Sequence, residues 1–317
     1  MKDLVIGIDI GGTYTKFGFV DREGNIYAEG VSPTDTFLHV DDYLKQLFAE
    51  IEEAGSLISA PFKLVGVGIG APNANYHKGT IENAANLKWE GIIPLAEMVR
   101  AHFNVPVIMT NDANAAALGE MLYGAANGMR DFIMITLGTG LGSGIVVNGE
   151  LVYGHDGFAG EIGHVKVSSK GRKCGCGHEG CLETYVSAPG IKRTVFELLA
   201  TYNGQSELAE LSFQEMTSEI IYEAAKRKDP VALEAFEISG RILGEKLADS
   251  VAHTSPEAIF LFGGLAKSGD FILQPARKHL EKNLISSYKG KVKLLPSGLM
   301  GKNVAILGAA ALIWKDL

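Results

Sequence analysis

Positive charge is in short supply in this chain. Lys and Arg number 29 against 37 Asp and Glu, a formal net charge of -8, so the basic face with which proteins grip nucleic acid is not expected. No run of about eighteen uncharged apolar residues occurs, so no membrane span is expected either. The opening MKDLVIGIDI carries Asp3 and Asp9 inside its apolar stretch, unlike an export signal. Low-complexity tracts and linker-like stretches are missing as well. With 317 residues the chain has room for two ordinary domains, and without a linker they are expected to share a cleft. The expectation is a cytoplasmic globular protein.

Cysteine is scarcer still. The chain has three, Cys174, Cys176 and Cys181, all inside eight positions, with His164 ten positions before the first. Three thiolates and one imidazole are the ligand set of a closed tetrahedral zinc site. Cys-x-Cys is tighter than the usual spacing, but the glycines at 175, 177 and 180 allow so short a loop to fold back on itself. A disulfide would leave one thiol over. The expectation is structural Zn2+ on His164, Cys174, Cys176 and Cys181, with His178 as a competing ligand in the same loop. A catalytic zinc would need an open coordination place.

Glycine, by contrast, is abundant: 39 of 317 residues, about 12% against roughly 7% on average. It clusters in particular loops. Strand-like residues 4–10 run into Gly11-Gly12-Thr13 and a second strand from Lys16 to Val20. A dinucleotide fingerprint needs a helix at that point, and a P-loop needs Gly-Lys-Ser/Thr, so neither fits. What remains is a hairpin whose turn can present backbone N–H groups to an anion, or simply turn the chain. The same device recurs at 132–148 around Gly138-Thr139-Gly140. Two such hairpins, each opening a segment of strands followed by helices, suggest a duplicated α/β fold.

Helical spacing marks 40–54, 94–102, 113–123, 188–199, 212–226, 230–251, 271–282 and 304–314. Strands are expected at 26–31, 63–69, 105–109, 257–262 and 291–295, with a polar loop or short hairpin over 73–86. Asn111-Asp112 precedes the Ala-rich helix 113–123, the position of a helix cap.

Taken together, the motifs resemble those of the ROK family of sugar kinases in the actin/hexokinase/Hsp70 ATPase superfamily. They are IDIGGTYTKFGFVD, NDANAAALGE, LGTGLGSGIVVNGELVYG, GHDGFAGEIGHVKV with CGCGHEGCLE, and LFGGLA, spread over residues 6–266 in the family's order. The resemblance implies an α/β fold of two ribonuclease-H-like (actin-like ATPase) lobes with an interlobe cleft. Residues 1–115 would form a small lobe, 116–302 a large lobe with the zinc loop, and the closing helix about 303–317 would return to the first.

The implied reaction is transfer of the γ-phosphoryl group of ATP to a hexose, glucose foremost. N-acetylhexosamines, mannose, fructose or allose are the alternatives. Asp112 would be the general base. Asn86, Asn111, Asp112, Glu161, His164 and Glu183 would hold the sugar. Asp9 would hold Mg2+ through water; Gly11, Gly12, Thr13, Gly138, Thr139 and Gly140 would meet phosphate, and Gly263 and Gly264 adenine. Lys16 is a further cation or merely solvent-facing. The resemblance also implies a homodimer. A non-catalytic, sugar-sensing repressor branch carries a winged helix ahead of the first glycine turn. Here Gly11 comes ten residues in, so that branch is not the expectation.

Overall fold

The computed structural model describes residues 1–84 and 86–317 and divides them into two compact units. The first comprises Met1–Met129, Leu151–Ala159 and Gly298–Leu317; the second comprises Arg130–Glu150 and Gly160–Ser297.

The first unit opens with β1 (Lys2–Ile10), β2 (Tyr14–Val20), β3 (Ile26–Pro33) and α1 (Val40–Ser56). β4 (Phe62–Gly70) follows, then the short strands β5 (Ala74–Asn75), β6 (Thr80–Glu82) and β7 (Ile92–Ile93). α2 (Leu95–Phe103), β8 (Val107–Thr110) and α3 (Asp112–Tyr123) complete this stretch. The main sheet has the order β3-β2-β1-β4-β8. β1 pairs antiparallel with β2 and parallel with β4, which pairs parallel with β8. The segment expected as a loop or short hairpin over 73–86 contains the antiparallel pair β5–β6; Ala85, in that range, lies outside the described residues.

The second unit holds β9 (Phe132–Leu137), β10 (Leu141–Val147) and Glu150 of the two-residue strand β11 (Glu150–Leu151). Helices α4 (Ala188–Leu199), α5 (Ser218–Lys226) and α6 (Pro230–Thr254) come next, then β12 (Ala258–Phe262), α7 (Asp270–Asn283) and β13 (Lys293–Pro296). Its sheet order is β11-β10-β9-β12-β13, with β9 antiparallel to β10 and parallel to β12. The duplication suggested by the two glycine hairpins is therefore present in the strand order. Phe132–Ile135 and Ala258–Leu261 are fully buried, as central strands covered on both faces must be. The helix expected from Ser212 begins only at Ser218, because Thr217 accepts the Ile220 N–H and caps it there. None of the described helices is long and apolar enough to cross a membrane.

The last helix, α8 (Val304–Trp314), belongs to the first unit and lies across its sheet. Gly7 of β1 and Gly68 of β4 make this possible. A methyl at either would run into the α8 backbone, at the Ile306 and Ala309 carbonyls respectively. Two differences from the expected division follow from packing. A boundary after residue 115 would cut α3, which is one continuous helix with Gly119 set against Gly308 of α8. Residues 151–159 also belong to the first unit. Asn75 Nδ2 donates to the Asp156 carbonyl at 2.8 Å, and Tyr76 stacks on Tyr153 with ring centroids 3.7 Å apart.

Candidate active site and metal centre

In the first unit, β1 delivers Asp9 to the mouth of the first glycine turn. The turn is closed by Gly11 N–H donating to the Tyr14 carbonyl at 3.0 Å, so Gly11's own amide is committed to the fold. The amides of Gly12 and Thr13 have no backbone partner among the described residues and can meet an anion. Gly12 is tight against the backbone of Asn86, where a methyl would stand 2.8 Å from the Asn86 carbonyl oxygen. The structure thus brings together an expected phosphate residue and an expected sugar residue.

α3 presents Asn111 and Asp112. Asn111 caps the helix, its Oδ1 accepting the Asn114 N–H at 2.7 Å, which leaves the amide NH2 as its free donor face. Asp112 opens the first turn, and its Oδ1 accepts the Ala113 N–H at 2.9 Å. Its side chain reaches solvent, yet desolvation by the protein around it pushes its carboxyl above the ordinary range, with the Ala113 N–H pulling the other way. Asp9 is half-buried. Burial first, and then the nearby Asp112 charge, push it up to about 7, and only Lys16 opposes them. Two carboxylates that repel each other are a donor set that suits a divalent cation. Asp9 is the residue that would hold it. Lys16 is exposed but opposite Asp9 in the β1–β2 register, so its charge reaches the site without entering it.

In the second unit the other glycine turn repeats this economy. Gly138 N–H donates to the Gly140 carbonyl at 3.0 Å, leaving the amides of Thr139 and Gly140 without a backbone partner among the described residues. The Gly138 carbonyl accepts from Ala188 N–H at the start of α4. Gly140 lies against Glu183, whose Oε2 would be 2.8 Å from a methyl there. Gly263 has φ +103° and packs on the Leu137 backbone, so geometry alone requires glycine. Gly264 has nothing within 4 Å of its bare face and is open to a ligand.

Glu161, His164 and Glu183 sit on two facing 3-10 turns, Ile162–His164 and Leu182–Thr184. The first is held down by Ser143 of β10, whose Oγ accepts the Ile162 N–H at 3.3 Å and donates to the Gly160 carbonyl. His164 points one ring nitrogen each way. Nδ1 is 3.6 Å from Cys174 Sγ, and Nε2 is 3.8 Å from Glu161 Oε2. One ligand atom each from His164, Cys174, Cys176 and Cys181 fall within 4.8 Å of one another. Cys176 and Cys181 sulfurs are 3.7 Å apart, far longer than a disulfide bond. A tetrahedron with metal–sulfur arms of about 2.3 Å has edges of about 3.8 Å, and the Cys174–His164 and Cys176–Cys181 separations are close to that length. The His178 ring nitrogen Nδ1 lies 3.7 Å from Cys176 Sγ, its carbonyl accepts the Cys174 N–H at 2.9 Å, and it stands outside the cluster of four.

The backbone amide of His178 draws the Cys176 thiol down to about 6, against burial. Burial pushes the Cys174 and Cys181 thiols up, so metal binding there must displace protons. Cys174 donates to Glu183 Oε1 at 2.9 Å, so the Cys/His cluster and an expected sugar residue are in direct contact.

Sequence reasoning missed what fastens this loop. Arg172 reaches Glu197 of α4 at 2.9 and 2.7 Å, the carbonyls of Thr184 and Gly190 at 2.7 and 3.0 Å, and Thr194 Oγ1 at 2.9 Å. It also stacks on Tyr185, 4.4 Å from the ring centroid. Lys166 Nζ lies 3.9 Å from Cys181 Sγ, a cation beside a prospective thiolate. No spacing rule singles out either residue; their partners are brought close only by folding.

Two sheets of one topology, each opened by a glycine-turn hairpin, are the fold of the actin-like ATPase class. Residues 5–316 match the ROK family, and the chain belongs to it. It is 36% identical over 317 residues to a glucokinase of Streptomyces coelicolor, covering 98% of this chain and 97% of that one. A ROK family glucokinase from Streptomyces griseus, solved with glucose and AMPPNP, is 36% identical with TM-score 0.79, covering 98% of each chain. A ROK family transcriptional regulator, homologue of the E. coli MLC protein, is 26% identical with TM-score 0.88, covering 99% of this chain and 78% of that one.

Proposed function

We propose that this protein is an ATP-dependent hexose kinase that converts glucose to glucose 6-phosphate. The observation that carries the reading is the pair Asp9 and Asp112, both next to Gly70 and both with raised carboxyl pKa, with Asp9 two residues before the Gly11–Thr13 turn. A base whose pKa rises towards the working pH is a better proton acceptor while still partly ionised. Asp112 accepts the proton of the sugar hydroxyl as the new O–P bond forms, and the γ-phosphorus–oxygen bond breaks with its electron pair going to ADP. Asn86, Asn111, Glu161, His164 and Glu183 orient the sugar. The free amides of Gly12, Thr13, Thr139 and Gly140 neutralise phosphate charge, and Gly264 leaves room for adenine. A Mg2+ ion at Asp9 would offset the repulsion between the carboxylates and the phosphates. Zn2+ on His164, Cys174, Cys176 and Cys181 would supply no chemistry; it would fix the His164 ring beside the sugar residues.

Likeness to the glucokinases named above supports glucose, and likeness to the transcriptional regulator supports a second reading, a sugar sensor without turnover. A coupled ADP-release assay over glucose, mannose, fructose, allose and N-acetylhexosamines decides between them. Turnover with glucose that falls about 10²–10⁴-fold in Asp112→Asn is the expected outcome. Turnover only with an N-acetylated sugar replaces the substrate. Absence of turnover in folded, zinc-loaded protein favours the sensor.

A further inference from the structure

Behind the first glycine turn lies a buried chain of hydroxyls that the proposed reaction does not use. Thr15 Oγ1 is 2.9 Å from Thr34 Oγ1 and 2.7 Å from the Tyr43 hydroxyl. Thr15, Thr34 and Tyr43 are 0%, 3% and 0% exposed. The chain starts at the turn, because Thr34 N–H donates to the Thr13 carbonyl at 2.8 Å. At its other end Tyr43 packs on Trp89, with ring centroids 4.5 Å apart at 44°. Trp89 is three residues beyond Asn86, whose backbone sits against Gly12. Residues 86–89 are therefore tied to the glycine turn at two points, backbone to backbone at Gly12 and ring to ring at Tyr43.

We infer that Tyr43 and Trp89 are positioning residues that couple the acceptor sugar to the nucleotide. A sugar held by Asn86 fixes residues 86–89, and Trp89 then fixes the Tyr43 ring. Through Thr15 and Thr34, Tyr43 fixes the Thr13 carbonyl and with it the turn amides that meet phosphate. Close-packed interiors transmit such a constraint because they have little slack to absorb it, and the arrangement is reciprocal by linkage. The inference rests on the roles proposed above for Asn86 and for Gly11–Thr13.

The test is calorimetric titration of glucose, N-acetylglucosamine and mannose, each alone and with AMPPNP present, and of AMPPNP with and without the sugar that binds. In the unmodified protein the bound sugar is expected to tighten AMPPNP about fivefold or more. Trp89→Leu and Thr15→Val should bring that factor below about twofold, while Trp89→Phe and Thr15→Ser, which keep the ring and the hydroxyl, preserve it. The chain has two tryptophans, so Trp314→Phe isolates the Trp89 emission, which should shift when sugar alone binds. Should a disruptive variant fail to fold, the conservative variants and this emission change decide the matter. Sugar binding with unchanged coupling in folded Trp89→Leu and a silent Trp89 emission would overturn the inference alone. Failure of the unmodified protein to bind any of the sugars would overturn the kinase reading and this inference with it.

Discussion

Replacing Asp9 by Asn isolates the cost of holding a partly buried carboxylate beside Asp112. In the folded chain this carboxyl rises from 3.8 to about 7, through burial and then the Asp112 charge. A group whose pKa is raised by folding gives a stability contribution that is complete below the unfolded value. It is lost as pH climbs from 3.8 through 7. Integrating the linkage between pH 5 and pH 8 gives about 2.6 kcal/mol of lost stability for a fully enclosed group. Asp9 is only half-buried, and solvent screening reduces this to about 1–1.5 kcal/mol. The Asn side chain has the same shape and cannot ionise. Urea unfolding of magnesium-free, ligand-free protein at both pH values measures the effect. The stability of Asp9→Asn relative to the unmodified protein should grow by about 1–1.5 kcal/mol from pH 5 to pH 8. Parallel pH profiles for the two proteins would refute the reasoning, since the carboxyl would then titrate alike folded and unfolded. Adding Mg2+ at pH 8 should narrow the gap, because the cation gains a partner only when Asp9 is present.

The remaining predictions concern the loop and the last helix. Arg172→Ala should weaken Zn2+ binding about 10–100-fold in competition with a chromophoric chelator, as losses behind metal ligands typically do; unchanged affinity would mean that the loop is held without it. Gly68→Ala pushes a methyl into the Ala309 carbonyl and should cost about 1–3 kcal/mol or more. Gly175→Ala, which meets nothing within 4 Å, should stay within about 0.5 kcal/mol. Equal melting temperatures for these two glycine variants would contradict the proposed seat of α8.

Local patterns were legible in the sequence wherever their cause is local. The 304–314 helix, the Asn111 cap and both glycine hairpins depend on neighbours within a few positions, and each stands where spacing put it. The grouping of His164, Cys174, Cys176 and Cys181 was legible because so few residues of these types occur together, and folding places one ligand atom of each within 4.8 Å of the others. The strand duplication could be read as a hint and is complete in the sheet order.

Other features depend on residues far apart in the chain. Gly7 and Gly68 look like ordinary strand glycines until α8, more than two hundred residues on, crosses them. Arg172 looks like a solvated cation until Glu197, Thr194 and Tyr185 enclose it. Residues 151–159 fall inside the expected large lobe, yet Asn75 and Tyr76 draw them into the first unit. The sequence determined which elements form and which chemistry they carry, since these follow from backbone propensity and side-chain type. Tertiary structure alone decided which carboxylates repel, which glycines must stay bare and what holds the cysteine loop, since proximity across the chain is a property of packing.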